Sequence, residues 1–228
     1  MFSWDGPLPS PRIRTIGEIR EVLMDPACEC REPLYFMYRD LSKNREDGRW
    51  LRDHDLRYDV TVIPARVLCG EYVKTKGHHH PENGKGVSYP EVYEVLEGRA
   101  HYLLQTGSAD DVRLIRAGPG DRVLIPPGYG HVTINPGGSP LVMANMVSAR
   151  FESDYSAYER LRGAAYFELA GGRLVRNPHY PRSTAIRTLN ASFQEGLGLL
   201  PAGPLYSLIG TESFGFLNRP EDYPGLFP

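Results

Sequence analysis

Between Val67 and Val147 the chain repeats one pattern: a short run of β-branched, aromatic and aliphatic residues, then a turn built on glycine or proline. The runs are Val67–Thr75, Val92–Leu96, Ala100–Gln105, Val112–Arg116, Arg122–Ile125, His131–Asn135 and Leu141–Val147. The turns are Glu97-Gly98, Gly107-Ser108, Gly118-Pro119-Gly120, Pro126-Pro127-Gly128 and Pro136-Gly137-Gly138. The turns fall between successive runs, and such spacing favours a sandwich or barrel over a βαβ sheet. Leu34–Tyr38 and Tyr58–Pro64 add two earlier strands, and the charged stretch Asp40–Asp55 between them reads as a surface connection.

The ends are less regular. Ile16, Ile19, Val22 and Leu23 recur near helical spacing after Thr15, a candidate cap, and predict a helix over Ile16–Met24. Tyr155–Leu161 reads as a helical turn, and Ala164–Ala170 with Arg173–Val175 as a hairpin around Gly171-Gly172. The tail segments Leu205–Ile209, Phe214–Leu217 and Arg219–Tyr223 carry enough large apolar side chains to dock on their own barrel or on a partner subunit. The expected organisation is one all-β domain over 1–228: an N-terminal arm and edge strands (1–55), a barrel holding the site (56–150), and C-terminal trim and tail (151–228).

With 26 Lys plus Arg against 28 Asp plus Glu, the net charge is −2, and no basic stripe with interleaved aromatics appears. Nucleic acid and anionic membranes are therefore not the expected partners, and a small molecule is. No stretch approaches the roughly 20 apolar residues of a membrane span, and Met1–Arg12 holds Pro7, Pro9 and Pro11 without an apolar run. Cys28, Cys30 and Cys69, an odd number without metal-ligand spacing, fit a reducing compartment better than a disulfide framework, so a cytoplasmic location is expected.

In Gly77-His78-His79-His80-Pro81, strand alternation turns His78 and His80 to one side and His79 to the other, so two imidazoles can converge on one ion. An isolated pair of this kind is as well explained by surface histidines. What adds to it is Gly120–Asn135, in which Gly120 is followed by five residues, Pro126, one residue, Gly128, two residues, His131, three residues and Asn135, together with Glu91 six residues ahead of Gly98. The two halves resemble the paired motifs of the cupin superfamily. That resemblance implies an all-β, jelly-roll-like cupin barrel with short terminal helices and extensions, and a divalent metal held by His78, His80, Glu91 and His131. Glu94 is the other candidate carboxylate, but it lies on the opposite strand face and breaks the six-residue spacing. The chain departs from the usual cupin spacing in one place: ten residues separate His80 from Glu91, which makes Pro81–Pro90 an inserted loop and a candidate lid.

The flanking residues narrow the resemblance. Tyr72–Pro81, Tyr89–Gly98 and Leu103–Gln105, within a stretch from Leu34 to Tyr155, are similar to the cupin-type glucose-6-phosphate isomerases, as is the tail Phe216–Tyr223. The resemblance implies reversible conversion of glucose 6-phosphate and fructose 6-phosphate. It implies phosphate contacts at Tyr35, Thr61, Thr75, Gly77 and Tyr155, whose hydroxyls and backbone N–H groups can bind an anion without a basic protein. Lys74 and Lys76, alternating with Thr75, are expected to point away from the interior. Glu91 is the expected base and Tyr93, two residues on, its catalytic partner if the reaction runs through an enediol. If a hydride moves directly, Glu91 and the metal only position the two oxygens. Fe²⁺ is the first expectation for the metal, with Mn²⁺, Ni²⁺ and Zn²⁺ as alternatives, and a homodimer is the expected assembly. Where the family pattern places a tyrosine late in the strand after His131, this chain has Met146-Val147. A sugar-phosphate-binding cupin without catalysis and another cupin enzyme, such as a dioxygenase, are the alternative readings.

Overall fold

In the computed structural model, which describes residues 4–182, 184–193 and 200–227, alternation along three long strands sets the architecture. The expected arm's first three residues, Met1–Ser3, lie outside the described residues. On β3 (Leu56–Ile63), β6 (Glu91–Glu97) and β11 (Leu141–Ser148), the residues Thr61, Tyr93 and Asn145 face one side, while Val60, Val92 and Ala144 face the other. Both faces are buried, so each side of this sheet must be covered.

With β1 (Arg12–Arg14), β2 (Tyr35–Tyr38) and β9 (Arg122–Ile125), these strands form a six-stranded sheet in the order β1-β2-β3-β11-β6-β9. Two two-residue strands, β4 (Val67–Leu68) and β5 (Glu71–Tyr72), make a separate small hairpin. A four-stranded sheet runs β10-β7-β8-β14, from β7 (Ala100–Thr106), β8 (Val112–Ala117), β10 (Tyr129–Ile134) and β14 (Arg187–Asn190). All pairings within the two larger sheets are antiparallel except β14 with β8. The sheets meet across a shared core, where Tyr102 of the smaller sheet lies 5.1 Å from Tyr93 of the larger one. A last hairpin joins β12 (Tyr166–Glu168) to β13 (Leu174–Arg176), as expected around Gly171-Gly172. This is the all-β cupin arrangement, two antiparallel sheets packed face to face.

The outer face of the six-stranded sheet is covered by the chain's own tail. Leu205, Leu208, Phe214, Phe216, Leu217 and Leu226 pack with Tyr58, Val60, Val92, Val142, Ala144 and Met146. Of the two docking surfaces open to the tail, the structure uses the barrel.

Several expectations are corrected. The Asp40–Asp55 connection contains a helix, Arg45–Asp53, whose N-cap Asn44 accepts a hydrogen bond from the Asp47 N–H at 2.9 Å. Only Gly48 and Leu51 of it are buried, so its sequence lacks the apolar period that would announce it. The predicted strand Val67–Thr75 breaks at Cys69 and Gly70, whose φ angles of 49° and 96° make a tight turn. The first helix stops at Val22, its last turn tightening to 3₁₀ geometry after a Thr15–Glu18 capping box. Cys28 and Cys69 form a disulfide and leave Cys30 as the free thiol, against the expectation of three reduced cysteines. The inference from cysteine number missed it because the partners are 41 residues apart and are joined only when the β4–β5 turn folds onto the N-terminal segment. No helix among the described residues is long and apolar enough to cross a membrane.

Candidate metal centre and its cavity

Residues 73–80 run along β10 at the edge of the smaller sheet, through Asn135 N–H to Val73 O (3.0 Å), Thr75 N–H to Thr133 O (2.9 Å) and a His78–His131 bridge. This pairing brings His78 and His80 beside His131, while Glu91 enters from the first residue of β6 in the opposite sheet. The four side chains predicted as ligands offer donor atoms that all lie within 4.8 Å of one another. His79 turns away, its ring packing against Tyr158, and the buried Glu94 faces the tail, where it accepts the Leu205 N–H at 2.6 Å.

Protonation states follow from the neighbours. His80 Nδ1 lies 2.7 Å from the Tyr89 carbonyl oxygen, which can only accept, so Nδ1 carries the proton and Nε2 presents a lone pair. That Nε2 is 3.2 Å from His78 Nε2 and 3.4 Å from Glu91 Oε2, and His131 Nε2 is 3.5 Å from the same carboxylate oxygen. Burial drives His78 well below the ordinary histidine value and His131 to about 3, so both are neutral imidazoles at pH 7. Burial alone would raise Glu91, but the adjacent imidazoles and the Arg39 guanidinium hold it below the usual carboxylate range. Glu91 Oε2 is buried without a hydrogen-bond donor. A buried carboxylate oxygen without a donor is costly unless a cation completes it. Two ligand atoms each about 2.1 Å from one ion stand about 3.0–3.4 Å apart, close to the His78–His80, His80–Glu91 and His131–Glu91 separations of 3.2, 3.4 and 3.5 Å. The donor set therefore fits a divalent metal.

Tyr93 completes this end of the cavity. Its hydroxyl is 3.0 Å from His131 Nε2, and burial together with the Glu91 charge raises it well above the ordinary tyrosine value, so it stays a phenol.

Tyr35, Thr61, Thr75, Gly77 and Tyr155, the residues expected to meet phosphate, all line the same cavity as the metal-ligand set. The Tyr35 oxygen accepts the Lys76 N–H at 3.2 Å and the Thr75 oxygen accepts the Thr133 N–H at 2.9 Å, which leaves both hydroxyl protons free to donate. Gly77 has φ 84°, and a Cβ there would stand 2.6 Å from the Tyr158 ring and from Val132, so no larger residue fits this turn. Lys76 contributes to the cavity lining, but its ammonium points away, held by Glu21 at 2.8 Å and Glu159 at 2.7 Å, neither of which lines the cavity. Lys74 also points elsewhere, but it is buried in an ion pair with Glu71 and beneath Phe167.

Sequence reasoning missed the opposite wall. Arg39, Arg57 and Asn145 also line the cavity, around the fully buried Asp59, beside Val147, which stands where the family pattern places a tyrosine. Asp59 Oδ2 accepts from Arg39 Nη1 at 2.5 Å and from Arg57 Nε at 2.8 Å, and Oδ1 accepts the Asp40 N–H at 3.0 Å. Asn145 is 2% exposed and its Nδ2 has no partner. The available signal was alternation: Arg57, Asp59 and Thr61 fall on one face of β3, and Asn145 lies opposite Asp59 and Tyr93 across β11.

Residues 14–183 match the family model for glucose-6-phosphate isomerase (GPI). The chain belongs to the glucose-6-phosphate isomerase family. It is 30% identical over 131 residues to the glucose-6-phosphate isomerase of Thermococcus gammatolerans, a match covering 57% of this chain and 67% of that one. It is 34% identical to that of Thermococcus litoralis, over 46% of this chain and 52% of the relative. It is 33% identical to that of Pyrococcus horikoshii, over 63% and 72%. The matched stretch thus spans between about half and three quarters of these relatives. An oxalate decarboxylase from Lactobacillus farciminis aligns with 56% of this chain and 32% of its own at 20% identity and a TM-score of 0.40. In this isomerase-family chain, the fold assignment rests on the strand pairing described above.

Proposed function

We propose that this chain is a metal-dependent aldose–ketose isomerase that interconverts glucose 6-phosphate and fructose 6-phosphate. The observation that carries the reading is one cavity lined both by three imidazoles with a carboxylate and by hydroxyls free to donate, in a member of this family. His78, His80, Glu91 and His131 would hold the ion, for which we propose Fe²⁺ ahead of Mn²⁺, Ni²⁺ and Zn²⁺. When bound, it supplies a Lewis acid for the substrate's carbonyl and hydroxyl oxygens. Tyr35, Thr61, Thr75, Tyr155 and the Gly77 backbone hold the phosphate. If the reaction runs through an enediol, Glu91 takes the proton from C2 and returns it to C1, while the O2 hydroxyl proton passes to O1 with Tyr93 as the neighbouring phenol that shares or orients it.

The test is a coupled assay from fructose 6-phosphate to glucose 6-phosphate, on protein stripped by chelator and reloaded separately with each of the four metals. Turnover restored by metal is the expected result. Stoichiometric metal binding without turnover would replace this reading with a binding protein or a different cupin reaction.

The whole chain is proposed as one domain working as a homodimer. Supporting this, Leu8 and Ile13 are each 43% exposed on the arm and on the edge strand β1, an open sheet edge that a second copy can cover. Sedimentation showing only monomer at micromolar concentration would remove the dimer. We propose a cytoplasmic location because phosphorylated sugars do not cross bilayers unaided. The Cys28–Cys69 disulfide bears against it, and thiol titration of protein extracted under alkylating conditions decides. Three free thiols are expected in the cytoplasm, and a closed disulfide would move the protein to an oxidising compartment.

A further inference from the structure

The inserted segment 81–90 is tied down at several points instead of being free to act as a lid. Within it, Glu82 bridges Ser88, the Asn83 N–H donates to Val87 O at 2.9 Å, and Asn83 Oδ1 accepts the N–H groups of Lys85 (2.8 Å) and Val87 (3.2 Å). These bonds make a self-closed hairpin whose turn is written by one asparagine. At its base, Ser88 Oγ accepts the Gly128 N–H, and Tyr89 stacks on Phe151 with ring centroids 4.9 Å apart. Phe151 in turn packs on the His80 ring at 4.5 Å. The hairpin ends on the Tyr89 carbonyl that fixes the His80 tautomer.

Its far side is held by the tail. Asn83 Nδ2 donates to Glu221 Oε2 at 2.8 Å, across 138 positions of sequence. The tail is itself anchored nearby, since Asn218 accepts from Ser148 Oγ at 2.6 Å and donates to His54 O at 2.6 Å. Glu221 lies beyond residue 183, where the family match ends.

We propose that the 81–90 hairpin and the C-terminal tail form a strap that positions His80, with Asn83 and Glu221 as its clasp. Glu221 is a positioning residue: it acts through Asn83, the hairpin and the Tyr89 carbonyl to keep the His80 Nε2 lone pair turned toward Glu91 and His78. The inference rests on the metal-site reading above for its functional consequence, but its structural content concerns His80 alone.

The experiment compares full-length wild type with Glu221→Ala, Glu221→Gln, Asn83→Ala and, as a tail control, Glu212→Ala. Two readouts are taken: the His80 tautomer by imidazole ¹⁵N NMR on metal-free protein, and Mn²⁺ affinity by electron paramagnetic resonance titration. Wild type is expected to show His80 protonated at Nδ1. Glu221→Ala should mix the tautomers and weaken Mn²⁺ binding about tenfold, the lower end of what outer-sphere partners contribute. Asn83→Ala, which also loses the turn, should weaken it further. Glu221→Gln, whose amide oxygen still accepts from Asn83, should restore both readouts, and Glu212→Ala should change neither. A wild-type tautomer retained in Glu221→Ala would overturn the strap, whatever the metal does. A protein that binds no Mn²⁺ in any form, yet shows the tautomer shift, would uphold the strap and remove the metal reading instead.

Discussion

The two ends of the cavity are built on different principles. At the metal-ligand end His80, Glu91 and His131 are almost completely buried, at 7%, 3% and 1% exposed, and Glu91 Oε2 has no donor. At the opposite wall the charges are paired within the protein, since the buried Asp59 takes hydrogen bonds from Arg39 and Arg57. The first arrangement is incomplete without a cation, whereas the second is already satisfied and keeps only part of each guanidinium for a ligand. One arrangement leaves a carboxylate oxygen unsatisfied, and the other fixes its charges by mutual pairing.

The difference is sharpest under a substitution that removes charge but not volume. Glu91→Gln should abolish most turnover, by about 10²–10⁴-fold if Glu91 is the base, while the three imidazoles keep part of the metal affinity. The check is kcat in the coupled assay beside metal content in the same preparation. Full activity in Glu91→Gln would end the proposed role of the carboxylate and leave the metal end as a binding site only.

The same contrast explains what could be read from the sequence. The metal end was legible because its ligands sit on short segments with fixed spacing, the His78/His80 pair and the Gly120–Asn135 motif, and because histidine is scarce, at seven in the chain. The strands were legible because glycine and proline mark their ends. The opposite wall was less so, since Arg39, Arg57 and Asn145 come from the end of β2, from β3 and from β11, and only the strand alternation that Arg57 shares with Thr61 points inward. The helix Arg45–Asp53 was hidden because only Gly48 and Leu51 of it are buried, and the Cys28–Cys69 pairing because its partners lie 41 residues apart.

At the satisfied wall, the largest effect should come from removing the shared acceptor. Asp59→Ala leaves two guanidinium groups facing a vacancy inside the barrel and the Asp40 N–H unpaired. A loss of about 2–3 kcal/mol is expected, below that for a wholly buried pair because Arg39 and Arg57 keep 38% and 28% side-chain exposure. Urea unfolding measures it. An unchanged midpoint would mean that the wall's charges are individually solvated and that the contrast between the two ends is overstated.

Asn145 tests the wall where it is unsatisfied. Its amide donor has no partner, so truncation removes no internal hydrogen bond, and Asn145→Ala should move stability by less than about 1 kcal/mol. If the amide instead waits for a substrate oxygen, the same change should lower kcat/KM about tenfold, the loss expected for one neutral hydrogen bond. The form of that loss is informative. A rise in KM at constant kcat would mean that Asn145 binds substrate and transition state alike. A fall in kcat would place its donor on an oxygen whose charge grows during the reaction, and the wall would then join the chemistry performed at the metal end.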